Sequence, residues 1–93
     1  MEKFEELIKT GTATIIDVRK PSEYAAGHAA GSINIPLRSL PEHLHELRAM
    51  KNIVVCCASG IRSAQAKEFL NQHGIECADA GGWINLNNNF CNC

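Results

Sequence analysis

The sequence has no surplus of positive charge: 9 Lys and Arg stand against 10 Asp and Glu, a formal net charge of −1. That excludes a broad electrostatic footprint for nucleic acid or anionic lipid, so any anion must be caught locally. A long apolar run is also missing. Met1 to Thr10 alternates charged and apolar residues and has no apolar core of the kind a signal peptide or membrane span needs, so a cytoplasmic protein is expected. No internal repeat or long linker interrupts the chain. The 5 cysteines are an odd number, which rules out complete pairing within one chain, and a reducing compartment disfavours structural disulfides anyway. No C-x-x-C pair occurs, so the spacing typical of structural zinc is absent and no metal site is expected.

What remains is enough for one modest core. The 93 residues are 45% hydrophobic and 20% charged, the balance of an ordinary globular domain. Phe4, Leu7 and Ile8 recur at helical spacing ahead of Gly11. Thr14 to Val18 is a β-branched run that reads as a buried strand, and Pro21 opens a turn of helix ending near Gly27. Ser32 to Pro36 reads as a short extended piece. Pro41 suits a helix start, with Leu40, Leu44 and Leu47 on one face through Arg48. Ile53 to Cys56 is an unbroken apolar strand. Ala66, Phe69, Leu70 and His73 mark a helix from Arg62 to His73, stopped by Gly74. Glu76 to Ala78 reads as one more strand, followed by Gly81-Gly82-Trp83 and a helical turn carrying Ile84 and Leu86. Strands alternating with helices predict an α/β fold: one mostly parallel sheet with helices on both faces. A single domain is expected over residues 1–93 with its core at about 12–86. Five of the nine residues from Asn85 to Cys93 are Asn, so 87–93 is expected to be a flexible tail or a cut end.

The segment that carries chemistry runs from Val54 to Ser63, out of a strand, through a short loop and into a helix. A loop wrapped from Cys57 to Arg62 aims backbone amides at the cysteine sulfur, and the dipole of the following helix adds positive potential. Gly60 permits the tight wrap. A free thiol has a pKa of about 8.5, which helix N-termini and nearby cations lower, so Cys57 is expected to be largely thiolate. Such a sulfur is a nucleophile. After it takes up a second sulfur, the same amides and Arg62 can stabilise the anionic persulfide.

This loop resembles the active-site loop of the rhodaneses. Asp17-Val18-Arg19, Glu23-Tyr24, Gly27-His28 and Gly31-Ser32-Ile33-Asn34-Ile35-Pro36 resemble the same family's upstream signature in order and spacing, and Gly81-Gly82-Trp83 its closing motif. The resemblance covers Thr14 to Trp83 and implies a single rhodanese-like α/β domain. It also implies a sulfurtransferase that moves sulfane sulfur from a donor such as thiosulfate to a thiophilic acceptor through a Cys57 persulfide. The acceptor would be cyanide in an assay, and thiols or a partner protein in cells. By the same resemblance Cys57 is the nucleophile and Arg62 faces the anionic donor. Ala58, Ser59, Gly60 and Ile61 complete the anion-cradling loop, with Ser63 against the sulfur. No organic cofactor or metal is implied. The related phosphatases carry one more residue in this loop, and the shorter ring suits a sulfane sulfur better than a tetrahedral phosphate.

Other readings stand beside this one: a non-catalytic docking or regulatory module on the same scaffold, a phosphatase-like enzyme, or a cysteine redox or metal-handling protein. Asp17, Arg19 and Glu23 are expected to form one ion network that supports the loop. Cys56, on the opposite face of its strand, is expected to pack as a small hydrophobe, as is Cys77. Cys91 and Cys93 are open to three roles: accepting sulfur, forming a regulatory disulfide, or none. His28 reads as a structural hydrogen-bonding residue, and Trp83 as a core or rim aromatic.

Overall fold

The computed structural model describes residues 11–84 and 86; the predicted helix at the start of the chain and the cysteines of the tail lie outside them. Four parallel strands form one sheet in the order β2-β1-β3-β4: β1 (Thr14–Asp17), β2 (Ile33–Asn34), β3 (Ile53–Cys57) and β4 (Cys77–Gly82). Between them run α1 (Pro21–Ala26), a 3-10 helix (Leu37–His43), α2 (Leu44–Ala49) and α3 (Ile61–Gln72). The α/β architecture with a parallel sheet is as expected.

The central strand β3 is buried along its whole length, as a strand covered on both faces must be. Its side chains alternate. Ile53, Val55 and Cys57 pack with Ile16, Val18, Leu40, Leu47, Ala66 and Leu70, which places the 3-10 helix, α2 and α3 on that face. Val54 and Cys56 turn to the other face, among Ile15, Ala29, Ala78, Ala80 and Leu86, with Trp83 packed beside them. Two small cores thus sandwich the sheet. Leu40, Leu47 and Leu70 are each fully buried, and each is worth about 1.5–3 kcal/mol against the exposed state.

The elements depart most from the predicted ones at three places. Pro41 does not start a helix but lies inside the 3-10 helix, which Pro36 precedes in extended backbone; the α-helical pattern begins only at Leu44. The strand predicted to end at Cys56 runs on through Cys57. The strand predicted over Glu76 to Ala78 is β4, Cys77–Gly82, so the two glycines of the closing motif belong to the sheet. A register shift explains the last difference. Val55 pairs with Asp79 but Cys56 with Gly81, and the slip lets β4 follow β3 to its C-terminal end, with the Asp79 carboxylate accepting the Gly81 N–H at 2.9 Å.

Candidate active site

Cys57 is the last residue of β3, and the loop that follows it folds back over its own sulfur. The wrap needs a left-handed residue just before α3, and Gly60 supplies it with φ +103°. Packing from the neighbouring strand holds the loop down. A Cβ on Gly82 would sit 2.8 Å from the Ala58 carbonyl oxygen, so only glycine lets β4 come this close. The sequence marked Gly81-Gly82 as a motif; its contact with the loop becomes visible only once β4 is seen to extend that far.

The sulfur itself is 0% exposed. Ala58, Ser59 and Ile61 form an exposed rim above it, with Ile61 standing 68% free. The Gly60 N–H donates to Cys57 Sγ at 3.0 Å and the Ser63 N–H at 3.3 Å. Burial by itself would raise the thiol's pKa. The Ser63 hydroxyl and the N–H groups of Ser63, Gly60 and Arg62 outweigh it, and hold the thiol below its ordinary value. The magnitudes agree with that outcome: hydrogen bonds to a charged group contribute about 1.5–3 kcal/mol each, and several of them offset a burial penalty of a few kcal/mol. The Ser63 hydroxyl also lies 3.1 Å from the Gly60 carbonyl oxygen. It has one proton to give, so that carbonyl and the sulfur compete for it.

Arg62 divides its labour. Its backbone N–H serves the sulfur, while its guanidinium makes a two-pronged pair with Glu23, Nη1 to Oε1 at 2.7 Å and Nη2 to Oε2 at 3.0 Å. The pair raises the Arg62 pKa and, with help from the Lys20 N–H, lowers that of Glu23 to about 2. Asp17, Arg19 and Glu23 thus share no single chain of hydrogen bonds, although Arg19 and Glu23 still favour each other's charge through space. Asp17 and Arg19 make their own buried pair, with Arg19 Nη2 2.8 Å from Asp17 Oδ2 and 2.6 Å from the Gly27 carbonyl oxygen. The Arg19 guanidinium also lies 5.0 Å from the Trp83 ring centre. Glu23 hydrogen-bonds to neither of them, because its helix α1 carries it across to the loop.

Cys56 is fully buried among the apolar residues of the second core. Burial and the Asp17 carboxylate push its thiol up to about 12, which Arg19 only partly offsets. Burial likewise raises Cys77, to about 11. The His28 Nδ1–H donates to the Tyr24 carbonyl oxygen, 2.7 Å away, and the imidazole stacks on the Tyr24 ring. Among the described residues no group of three or more His, Cys, Asp or Glu could hold a metal ion, and no helix is long and apolar enough to cross a membrane.

Comparison with known proteins points the same way. Residues 1–86 match the sequence model of the Rhodanese-like domain. Over 70 residues the chain is 41% identical to the thiosulfate sulfurtransferase PspE of Escherichia coli K12, covering 72% of this chain and 67% of that one. It is 38% identical over 72 residues to YqhL, an uncharacterized protein of Bacillus subtilis, covering 75% of this chain and 57% of that one, little more than half of the relative's length. Among solved structures, a rhodanese-related protein from Thermoplasma volcanium superposes with a TM-score of 0.74 at 41% identity, covering 87% of this chain and 82% of that one.

Proposed function

This chain belongs to the rhodanese-like domain family, and on that premise we propose that it is a sulfurtransferase that carries sulfane sulfur as a persulfide on Cys57. The observation that carries the reading is the convergence of the Gly60, Arg62 and Ser63 N–H groups on one buried sulfur whose pKa is lowered in spite of its burial. A thiolate held in this way attacks the outer sulfur of thiosulfate. The Cys57 Sγ–S bond forms as the S–S bond of the donor breaks, and sulfite leaves with the bonding pair.

The persulfide anion then lies one bond further out, toward the rim formed by Ala58, Ser59 and Ile61. Backbone dipoles fixed before the reaction stabilise it without having to reorganise. Ser63 adds a hydroxyl, and Arg62 acts in two ways, with its N–H in the ring and its guanidinium braced by Glu23. A thiol, or cyanide in an assay, takes the outer sulfur and restores Cys57. Thiosulfate as donor is also in keeping with the name of the PspE relative.

Intact-mass measurement after thiosulfate treatment tests this. The wild-type protein gains one sulfur atom, lost again on reduction, and the Cys57→Ser protein gains none. A wild-type protein with no added sulfur would leave the scaffold as a docking module.

A further inference from the structure

Beside the loop, between the start of α1 and the 3-10 helix, lies a cleft of about 480 Å³. Pro21, Pro36 and Leu37 give it apolar walls, Lys20, Arg38 and Arg62 contribute three cations, and no carboxylate lines it. The whole chain has a formal charge of −1, so this positive charge is a local concentration and not part of a general excess. Glu23 already neutralises Arg62. Lys20 and Arg38 are exposed, and among the described residues neither makes an ion pair. They are the free charges of the cleft.

The cleft adjoins the loop that holds the sulfur. Val18, another lining residue, follows β1, and its N–H donates to the Cys56 carbonyl oxygen at 3.0 Å; Arg62 closes the loop that Cys57 begins. One wall is therefore about one strand spacing from the nucleophile. A small inorganic anion fills only a fraction of such a volume, which belongs to the class that takes organic ligands. Proline and leucine walls also offer nothing to a bare anion. They suit a hydrocarbon stem.

We propose that this cleft binds the sulfur acceptor, and that the acceptor is an organic thiol bearing one or more carboxylates away from its sulfur. Lys20 and Arg38 hold the carboxylates, while Pro21, Pro36 and Leu37 carry the carbon chain and turn the thiolate toward Cys57. The inference rests on the sulfurtransferase reading above. The acceptor thiolate attacks the outer sulfur of the Cys57 persulfide, the new S–S bond forms as the Sγ–S bond breaks, and the electron pair returns to Sγ. The acceptor leaves as a persulfide, and no outside oxidant or reductant is needed.

The test compares 6-mercaptohexanoate, whose carboxylate lies at the far end of the carbon chain from its sulfur, with uncharged 6-mercaptohexanol as acceptors after loading with thiosulfate, in the wild-type protein and in the Lys20→Met, Arg38→Met double variant. The ratio of kcat/KM for 6-mercaptohexanoate to that for 6-mercaptohexanol falls about tenfold in the double variant, with each single variant giving part of the drop. The change appears in KM for the charged acceptor. Raising the salt concentration lowers the same ratio in the wild type. If the wild type gains sulfur from thiosulfate but the ratio is the same in all four proteins, the cleft assignment is overturned alone. If the wild type gains no sulfur, the sulfurtransferase reading falls and takes the assignment with it.

Discussion

Cys56 and Cys57 are neighbours in one strand and both fully buried, yet their thiols are driven in opposite directions. Strand alternation puts them on opposite faces of the sheet. Cys56 meets an apolar core and the Asp17 carboxylate, both of which penalise a thiolate, and Arg19 relieves only part of this. Cys57 meets the turn into α3, whose N–H groups and Ser63 hydroxyl reward one. Burial therefore does not decide the state of a cysteine here. The count of donors aimed at the sulfur does, and the chain changes that count by turning a single residue.

The comparison is broken most severely at Cys57. Cys57→Ser lowers sulfurtransferase turnover by at least about 10³-fold. Cys56→Ala leaves turnover within about twofold and costs stability on the order of 1 kcal/mol. Parallel assays and urea denaturation of the two variants check this, and equal losses of turnover would remove the distinction between the two faces.

A second break removes the charge that sits on the Cys56 face. Asp17→Asn strips the buried Arg19 of its carboxylate, and a broken buried pair of this kind costs about 3–5 kcal/mol. The urea midpoint drops accordingly, while Cys57 in the folded protein keeps its alkylation profile, because Asp17 and Arg19 serve the opposite face. A smaller change sharpens the comparison from the other side. Ser63→Ala removes one donor to the sulfur and slows sulfur uptake from thiosulfate at neutral pH by about tenfold, the worth of one hydrogen bond to a charge. Raising the pH restores part of the rate.

Much of this arrangement was legible in the sequence because it follows local rules. An unbroken apolar run marked β3, helical spacing through Ala66, Phe69 and Leu70 marked α3, and the glycine-containing loop between them marked Cys57. Alternation alone separated Cys56 from it. What escaped is non-local. Glu23 and Arg62 are 39 residues apart, and no spacing rule joins them; only the way α1 lies against the loop does. The run of β4 through Gly82 depends on a register slip against β3, and two glycines ordinarily argue for a turn. The 3-10 helix was hidden because a proline inside it reads as the start of a helix. Lys20 and Arg38 went unmarked for the reason that hid the pairing of Glu23 with Arg62: the cleft that unites them exists only after folding.

The pH dependence of Cys57 alkylation, followed by mass mapping of its peptide, tests the central claim most directly. A lowered pKa means that the thiolate persists to lower pH than in an ordinary thiol and is lost only as pH falls through the depressed value. The rate should therefore titrate with a midpoint below the free-thiol reference of about 8.5, with Cys56 unreacted in the same samples. A midpoint at or above that reference would contradict the account.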